Sequence, residues 1–163
     1  MPKRVVLVCP GRGTYTKSEL GFFAKPMPDP VRAAMDGWLA HADQVRGLRG
    51  DASLRELDAL PQFGSKHMIG ENAGAMIYAC TAVDAARIDP TKAEVVAVCG
   101  NSMGWYSALH VGGVFGFEDG FTVGDGMGAM QKHGVIGGQL IHPTVDDAWR
   151  QDPARLAEVE SAI

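Results

Sequence analysis

Two runs of the chain are apolar almost without interruption. Residues 4–9, "RVVLVC", and 93–99, "AEVVAVC", are short and rich in valine, and they read as strands of a buried, parallel-type sheet. Between them the period changes. Val31, Ala34, Met35, Trp38, Leu39, Ala42 and Val45 recur at the i, i+3, i+4, i+7 spacing of a helix that packs one face on a core. Asp29 as N-cap and Pro30 as first helical residue start it. Residues 71–88, "ENAGAMIYACTAVDAARI", are small and apolar all round, which predicts a largely buried helix that stops before Asp89-Pro90. Thr16 with Glu19, and Ser53 with Glu56, have capping-box spacing, so each pair is expected to open a short helix. A further helix is predicted over 103–111, and Asp152-Pro153 starts a last one. "GGQLIHPTV" (137–145) reads as a third strand. "FEDGFTVGDGMGAMQ" resists assignment, because Gly120, Gly124, Gly126 and Gly128 each cost about 1 kcal/mol in a helix interior relative to alanine. Strands alternating with helices predict an α/β fold with a mainly parallel sheet.

Composition narrows the function classes. At 163 residues, 46% hydrophobic and 21% charged, the chain is one globular domain by size and can bury a real core. A net charge of −4 supplies no basic face for nucleic acid. No run approaches the roughly 20 apolar residues of a membrane span, and the apolar stretch after the basic start is too short for a signal peptide. A cytoplasmic location without membrane attachment is expected. Three cysteines without CxxC spacing suggest buried, reduced thiols and neither a disulfide framework nor a zinc site.

The chemistry concentrates where the second strand stops. In "VVAVCGNSMGWYSALH" a serine stands in Gly-x-Ser-x-Gly between strand and helix. A sharp strand–helix turn holds such a hydroxyl out at the C-terminal edge of the sheet. The free N–H groups and dipole of the following helix favour an oxyanion there. Ser102 is thus the candidate nucleophile, and the backbone N–H of Met103 the first oxyanion donor. The alternative is a tight turn that merely happens to carry a serine. "CPGRGT" ends the first strand and reaches the same edge of a parallel sheet, so the backbone N–H of Arg12 is the candidate second donor. A phosphate-binding GxxxxGK[ST] loop is excluded because Thr16, not glycine, precedes Lys17.

"VCPGRGT" followed by "GNSMGWYSALHVGGVFGFEDG" resembles the malonyl-CoA:acyl-carrier-protein acyltransferases, which carry PGQG after the first strand and GHSxGE at the nucleophile. The similarity spans most of residues 4–131. It implies an α/β-hydrolase-like core, with residues 1–131 as its front part and 132–163 as the start of an inserted ferredoxin-like subdomain. It also implies ping-pong acyl transfer through an acyl-serine, from coenzyme A to the phosphopantetheine thiol of an acyl carrier protein, with no resident cofactor and no metal. Arg12 replaces the glutamine of the first motif, which a backbone N–H role tolerates, and three further departures surround the implied acyl pocket. Asn101 replaces the histidine before the serine, Trp105 replaces the glutamate, and Met127 stands where the family has the arginine that clamps the malonyl carboxylate. These three are the expected substrate-binding residues, and they question the acyl group more than the reaction. The rival readings are a serine hydrolase or thioesterase on a similar core, and a non-catalytic relative that binds acyl chains.

No histidine presents itself as the base. His110 lies eight positions after Ser102, roughly 12 Å along a helix, and reads as a packing or surface residue. His67, His133 and His142 lack metal-ligand spacing, and His41 is expected on a solvated helix face. In the resembled family the base follows the inserted subdomain, so it is expected beyond residue 163, in a longer protein of which these residues are the front part.

Overall fold

In the computed structural model, which describes residues 1–130, 132 and 142–162, the two valine-rich runs form β1 (Lys3–Cys9) and β2 (Ala93–Gly100). They pair in parallel from Lys3 opposite Ala93 to Cys9 opposite Gly100, with one irregularity between Val5 and Val6. Among the described residues they make a two-stranded sheet. The crossover between them holds α1 (Asp29–Gly47), α2 (Leu54–Asp58), α3 (Ser65–Met68) and α4 (Gly70–Ala86). After β2 come α5 (Gly104–Val111), α6 (Phe117–Met130) and α7 (Pro153–Ala162).

The expected burial of β1 holds on one face. Cys9 is buried and Val5 and Leu7 half-buried, whereas Val6 and Val8 are 56% and 71% exposed. Alternation along the strand sends those two to the face opposite Val5, Leu7 and Cys9. Cys99 is exposed on β2, against the expectation of three buried thiols. Cys9 and Cys80 keep protonated thiols, because burial raises the pKa of both.

The core lies among the helices. Met35, Leu39 and Ala42 of α1, Leu54 of α2, Met76 of α4 and Phe121 of α6 are fully buried. The predicted α1 stripe faces this core throughout, and the helix starts one position early, with Pro28 as N-cap. Helix α4 is buried on nearly every side from Asn72 to Ala79, as its small residues require. Ser53 caps α2, its side chain accepting from the Glu56 N–H at 3.4 Å. Asp152 caps α7 by accepting from the Ala154 N–H at 3.0 Å.

Three expectations fail or shift. Thr16 and Glu19 open a turn, not a helix. Glu19 accepts from the Thr16 N–H at 2.7 Å, and the Thr16 hydroxyl donates to Glu19 at 2.6 Å while accepting from the Ser18 N–H at 3.3 Å, so the capping contacts form over a turn that no helix continues. The buried Asp58 then organises the loop, accepting from the Phe22 and Phe23 N–H groups at 3.0 and 2.9 Å and from the Tyr15 hydroxyl at 2.5 Å. Of the third strand expected over 137–145, residues 137–141 lie outside the described residues, as does His133. Of the remainder only Val145 makes a β-bridge, antiparallel to Gln151.

The glycine-rich stretch is the helix α6. Gly120, Gly124 and Gly128 recur every fourth residue and so share a face. A Cβ on Gly120 would lie 2.3 Å from the Tyr78 hydroxyl oxygen, and one on Gly124 3.0 Å from Met103 Cε. On Gly128 it would lie 3.4 Å from Glu71 Cα. The missing side chains let α6 press against α4 and the start of α5, and that contact offsets the propensity cost.

Candidate active site

At the end of β2 the backbone turns through Asn101, Ser102 and Met103 into α5. The turn is closed by the Gly104 N–H donating to the Asn101 carbonyl at 2.8 Å and the Trp105 N–H to the Ser102 carbonyl at 3.1 Å. Both flanking glycines are sterically obligatory. A Cβ on Gly100 would sit 2.1 Å from the Gly104 carbonyl oxygen, and one on Gly104 2.1 Å from the Cys9 carbonyl oxygen. Ser102 itself has φ 52°, a left-handed conformation that costs a non-glycine residue about 1–2 kcal/mol. Strain of this kind persists only where surrounding structure over-determines it. Ser102→Gly is therefore expected to be more stable than Ser102→Ala by about 1 kcal/mol. Urea unfolding of the two variants measures this, and equal midpoints would contradict it.

The loop after β1 leans on this turn. The Asn101 N–H donates to the Cys9 carbonyl at 3.3 Å. A Cβ on Gly11 would be 3.0 Å from the Asn101 carbonyl oxygen and 3.4 Å from Ser102 Cβ. Arg12 is thereby carried beside the serine. Arg12, Ser102 and Met103 line one cavity of about 170 Å³, together with Glu71, Tyr106 and Met127 and glycines of α4 and α6. An exposed hydroxyl on a strained turn, at the N-terminal end of α5 and at the mouth of a cavity, is an arrangement suited to attack on a carbonyl.

Of the remaining sequence-predicted residues, Met127 joins Ser102 in the cavity and two do not. Asn101 is exposed and acts on the turn through its backbone. Trp105 is 65% exposed and lines a separate groove with Val96, Val98 and Leu109 along β2. The reason is helical geometry: successive residues of α5 point about 100° apart, so Tyr106 rather than Trp105 faces the serine's cavity. Tyr106 and Glu71 were not singled out by the sequence. The one signal that could have found Glu71 is the four-residue spacing of glycines on α6, which brings Gly128 against it.

None of the four described histidines lines the cavity. His110 packs against Trp38, Tyr78 and Phe117, each with ring centroids 5.8 Å away. His67 is buried in α3, where Nδ1 accepts from the Gly64 N–H at 3.1 Å and Nε2 lies 2.9 Å from the Leu57 carbonyl. An amide N–H can only donate, so the neutral ring carries its proton on Nε2. His41 is half-buried, with an enclosed and unpartnered Nε2, rather than solvated. His142 faces Glu158 at 3.2 Å.

Solved structures share this architecture. An acyl-carrier-protein S-malonyltransferase from Vibrio cholerae matches 87% of this chain with a TM-score of 0.63 at 19% identity. The fold is that of the acyl-carrier-protein S-malonyltransferases. A second such enzyme, from Burkholderia pseudomallei, matches 80% of the chain with a TM-score of 0.59 at 19% identity. A malonyl-transacylase in complex with a type II PKS acyl-carrier protein matches 80% with a TM-score of 0.61 at 22% identity. The chain spans about two fifths of the length of these malonyltransferases, 42%, 39% and 39% respectively. No protein-family model and no curated protein matches the sequence. Among the described residues no helix is long and apolar enough to cross a membrane.

Proposed function

We propose that this chain carries the nucleophile and oxyanion half of an acyl-CoA:acyl-carrier-protein S-acyltransferase of the malonyltransferase family. The observation that supports this most is Ser102, held at φ 52° with the Gly11–Arg12 loop against it, inside a malonyltransferase fold. In this reading Ser102 Oγ attacks the thioester carbonyl while a base takes its proton. The backbone N–H groups of Met103 and Arg12 stabilise the tetrahedral oxyanion. Collapse expels coenzyme A as the thiol and leaves an acyl-serine, which the phosphopantetheine thiol of the carrier protein then attacks. The base comes from outside the described residues.

Intact mass spectrometry after incubation with a panel of acyl-CoAs tests the reading. Ser102 is expected to gain the acyl mass, to keep it in water, and to discharge it onto a holo carrier protein. Rapid loss to water would make the protein a hydrolase, and absence of any adduct in a protein that also carries the base would make it a non-catalytic relative.

The acyl group follows from the cavity. A desolvated carboxylate needs a paired cation, and an arginine fork is the usual solution. Met127 supplies a flexible apolar surface at that position. kcat/KM is expected to be at least about tenfold higher for acetyl- or butyryl-CoA than for malonyl-CoA. A preference for malonyl-CoA would refute it.

A further inference from the structure

The transferase reading leaves open what besides Met127 selects the acyl group, and the opposite wall of the cavity supplies an answer. We infer that Glu71 is a specificity-determining residue of the Ser102 cavity, set there to exclude acyl groups that carry a carboxylate. The inference rests on the transferase reading.

Glu71 stands in the first turn of α4, its backbone pressed against Gly128 of α6. Its side chain is only 12% exposed and lines the same cavity of about 170 Å³ as Ser102 and Met127. Two carboxylates confined in so small a space cannot both keep their hydration, and each disfavours the ionised form of the other.

The cations on this side are already engaged. Lys132 Nζ lies 3.1 Å from Glu71 and 3.2 Å from Asp51. Arg49 contacts Asp51 at 2.9 Å and also pairs with Asp125. Arg46 contacts Asp125 at 2.7 Å. Glu71, Asp51 and Asp125 thus meet Lys132, Arg49 and Arg46, and each of these three cations already has a carboxylate partner. The assignments are mutually reinforcing. Hydrogen bonds to Glu71 and Asp51 raise the pKa of Lys132. Burial pushes Asp51 up, but its bonds to Arg49 and Lys132 outweigh that and leave it below the ordinary carboxylate range.

Of the described residues lining the cavity, Arg12 and Glu71 bear formal charge. A substrate carboxylate in this space is therefore opposed by Glu71, whereas an uncharged acyl group meets no such conflict. Neutralising Glu71 removes the negative charge from the described lining of the cavity, and removing Lys132 leaves the Glu71 charge less compensated. The two changes push selectivity in opposite directions, which general damage to the fold cannot do.

The test is the ratio of kcat/KM for malonyl-CoA to that for acetyl-CoA, read as Ser102 acylation, in the wild-type protein, Glu71→Gln and Lys132→Gln. Glu71→Gln is expected to raise the ratio about tenfold or more, and Lys132→Gln to lower it. Because the readout is a ratio, an overall loss of activity cancels. An unchanged ratio in Glu71→Gln, or movement of both variants in the same direction, overturns the inference while leaving the transferase reading intact. Failure of both thioesters to acylate wild-type Ser102, in a protein that also carries the base, overturns both.

Discussion

Ser102→Ala is expected to yield no acyl-enzyme with any acyl-CoA and to slow acyl transfer by about three orders of magnitude or more. The substitution removes one oxygen and leaves the Cβ, so Gly11 and Asn101 keep their contacts with the turn. Alanine tolerates φ 52° no better and no worse than serine, so the variant should fold as the wild type does. Among the described residues, two nucleophilic side chains near the turn are held back. Ser107 is buried on the following helix, and Cys9 is buried with its thiol held protonated by that burial and by Cys99. Intact mass spectrometry with acetyl-CoA reports the adduct, and a discontinuous assay with holo carrier protein reports transfer. Undiminished transfer by the variant would remove Ser102 from the mechanism.

Arg46→Met is expected to be the most destabilising single change outside the site. Arg46 is fully buried at the end of α1. It donates to the Asp125 carboxylate at 2.7 Å, the Asn72 side-chain oxygen at 2.5 Å, and the carbonyls of Ala52 and Glu71 at 2.7 and 3.3 Å. Methionine fills much of the volume and satisfies none of these. Asp125, also fully buried on its side chain, would keep only Arg49 of its two cationic partners. Breaking one member of a buried ion pair costs about 3–5 kcal/mol, a large share of the roughly 5–15 kcal/mol that holds a domain together. Thermal unfolding should shift down by roughly 6–20 °C. Replacing both partners, as Arg46→Met with Asp125→Leu, should recover much of the loss, since an apolar pair leaves no orphaned charge. A single variant that melts within about 2 °C of wild type would show that the cluster contributes little.

Much of the site was legible because its constraints are local. The elbow needs two glycines, one serine, a strand before and a helix after, and all lie within one short stretch. The valine runs and the α1 stripe are likewise written in neighbouring residues. What escaped detection depends on partners far along the chain. Arg46 reads as a solvated C-terminal cation on α1 until Asp125 is brought to it from α6. The glycines of α6 read as helix breakers until Tyr78, Met103 and Glu71 are seen to occupy the space they vacate. Trp105 was expected at the cavity because it adjoins the elbow in sequence, but one step around α5 turns it away and turns Tyr106 inward. The Thr16–Glu19 pair has the right spacing for a cap and makes its contacts, but Gly21 turns left-handed at φ 79° and the distant Asp58 holds the Phe22 and Phe23 N–H groups, so no helix follows.

The parallel pairing of β1 with β2 also sets an order of events in folding. Lys3 meets Ala93 ninety positions later, and closing so long a loop is entropically costly and slow compared with forming the helices it encloses. Met103 adjoins Ser102 in sequence, but Arg12 reaches the turn only when the strands dock. A chain with its helices formed and its strands still apart would therefore hold a serine with one proposed oxyanion donor and lack the other. Acylating power would arrive as one of the later acquisitions of the folding chain, so partly folded molecules would leave thioesters untouched.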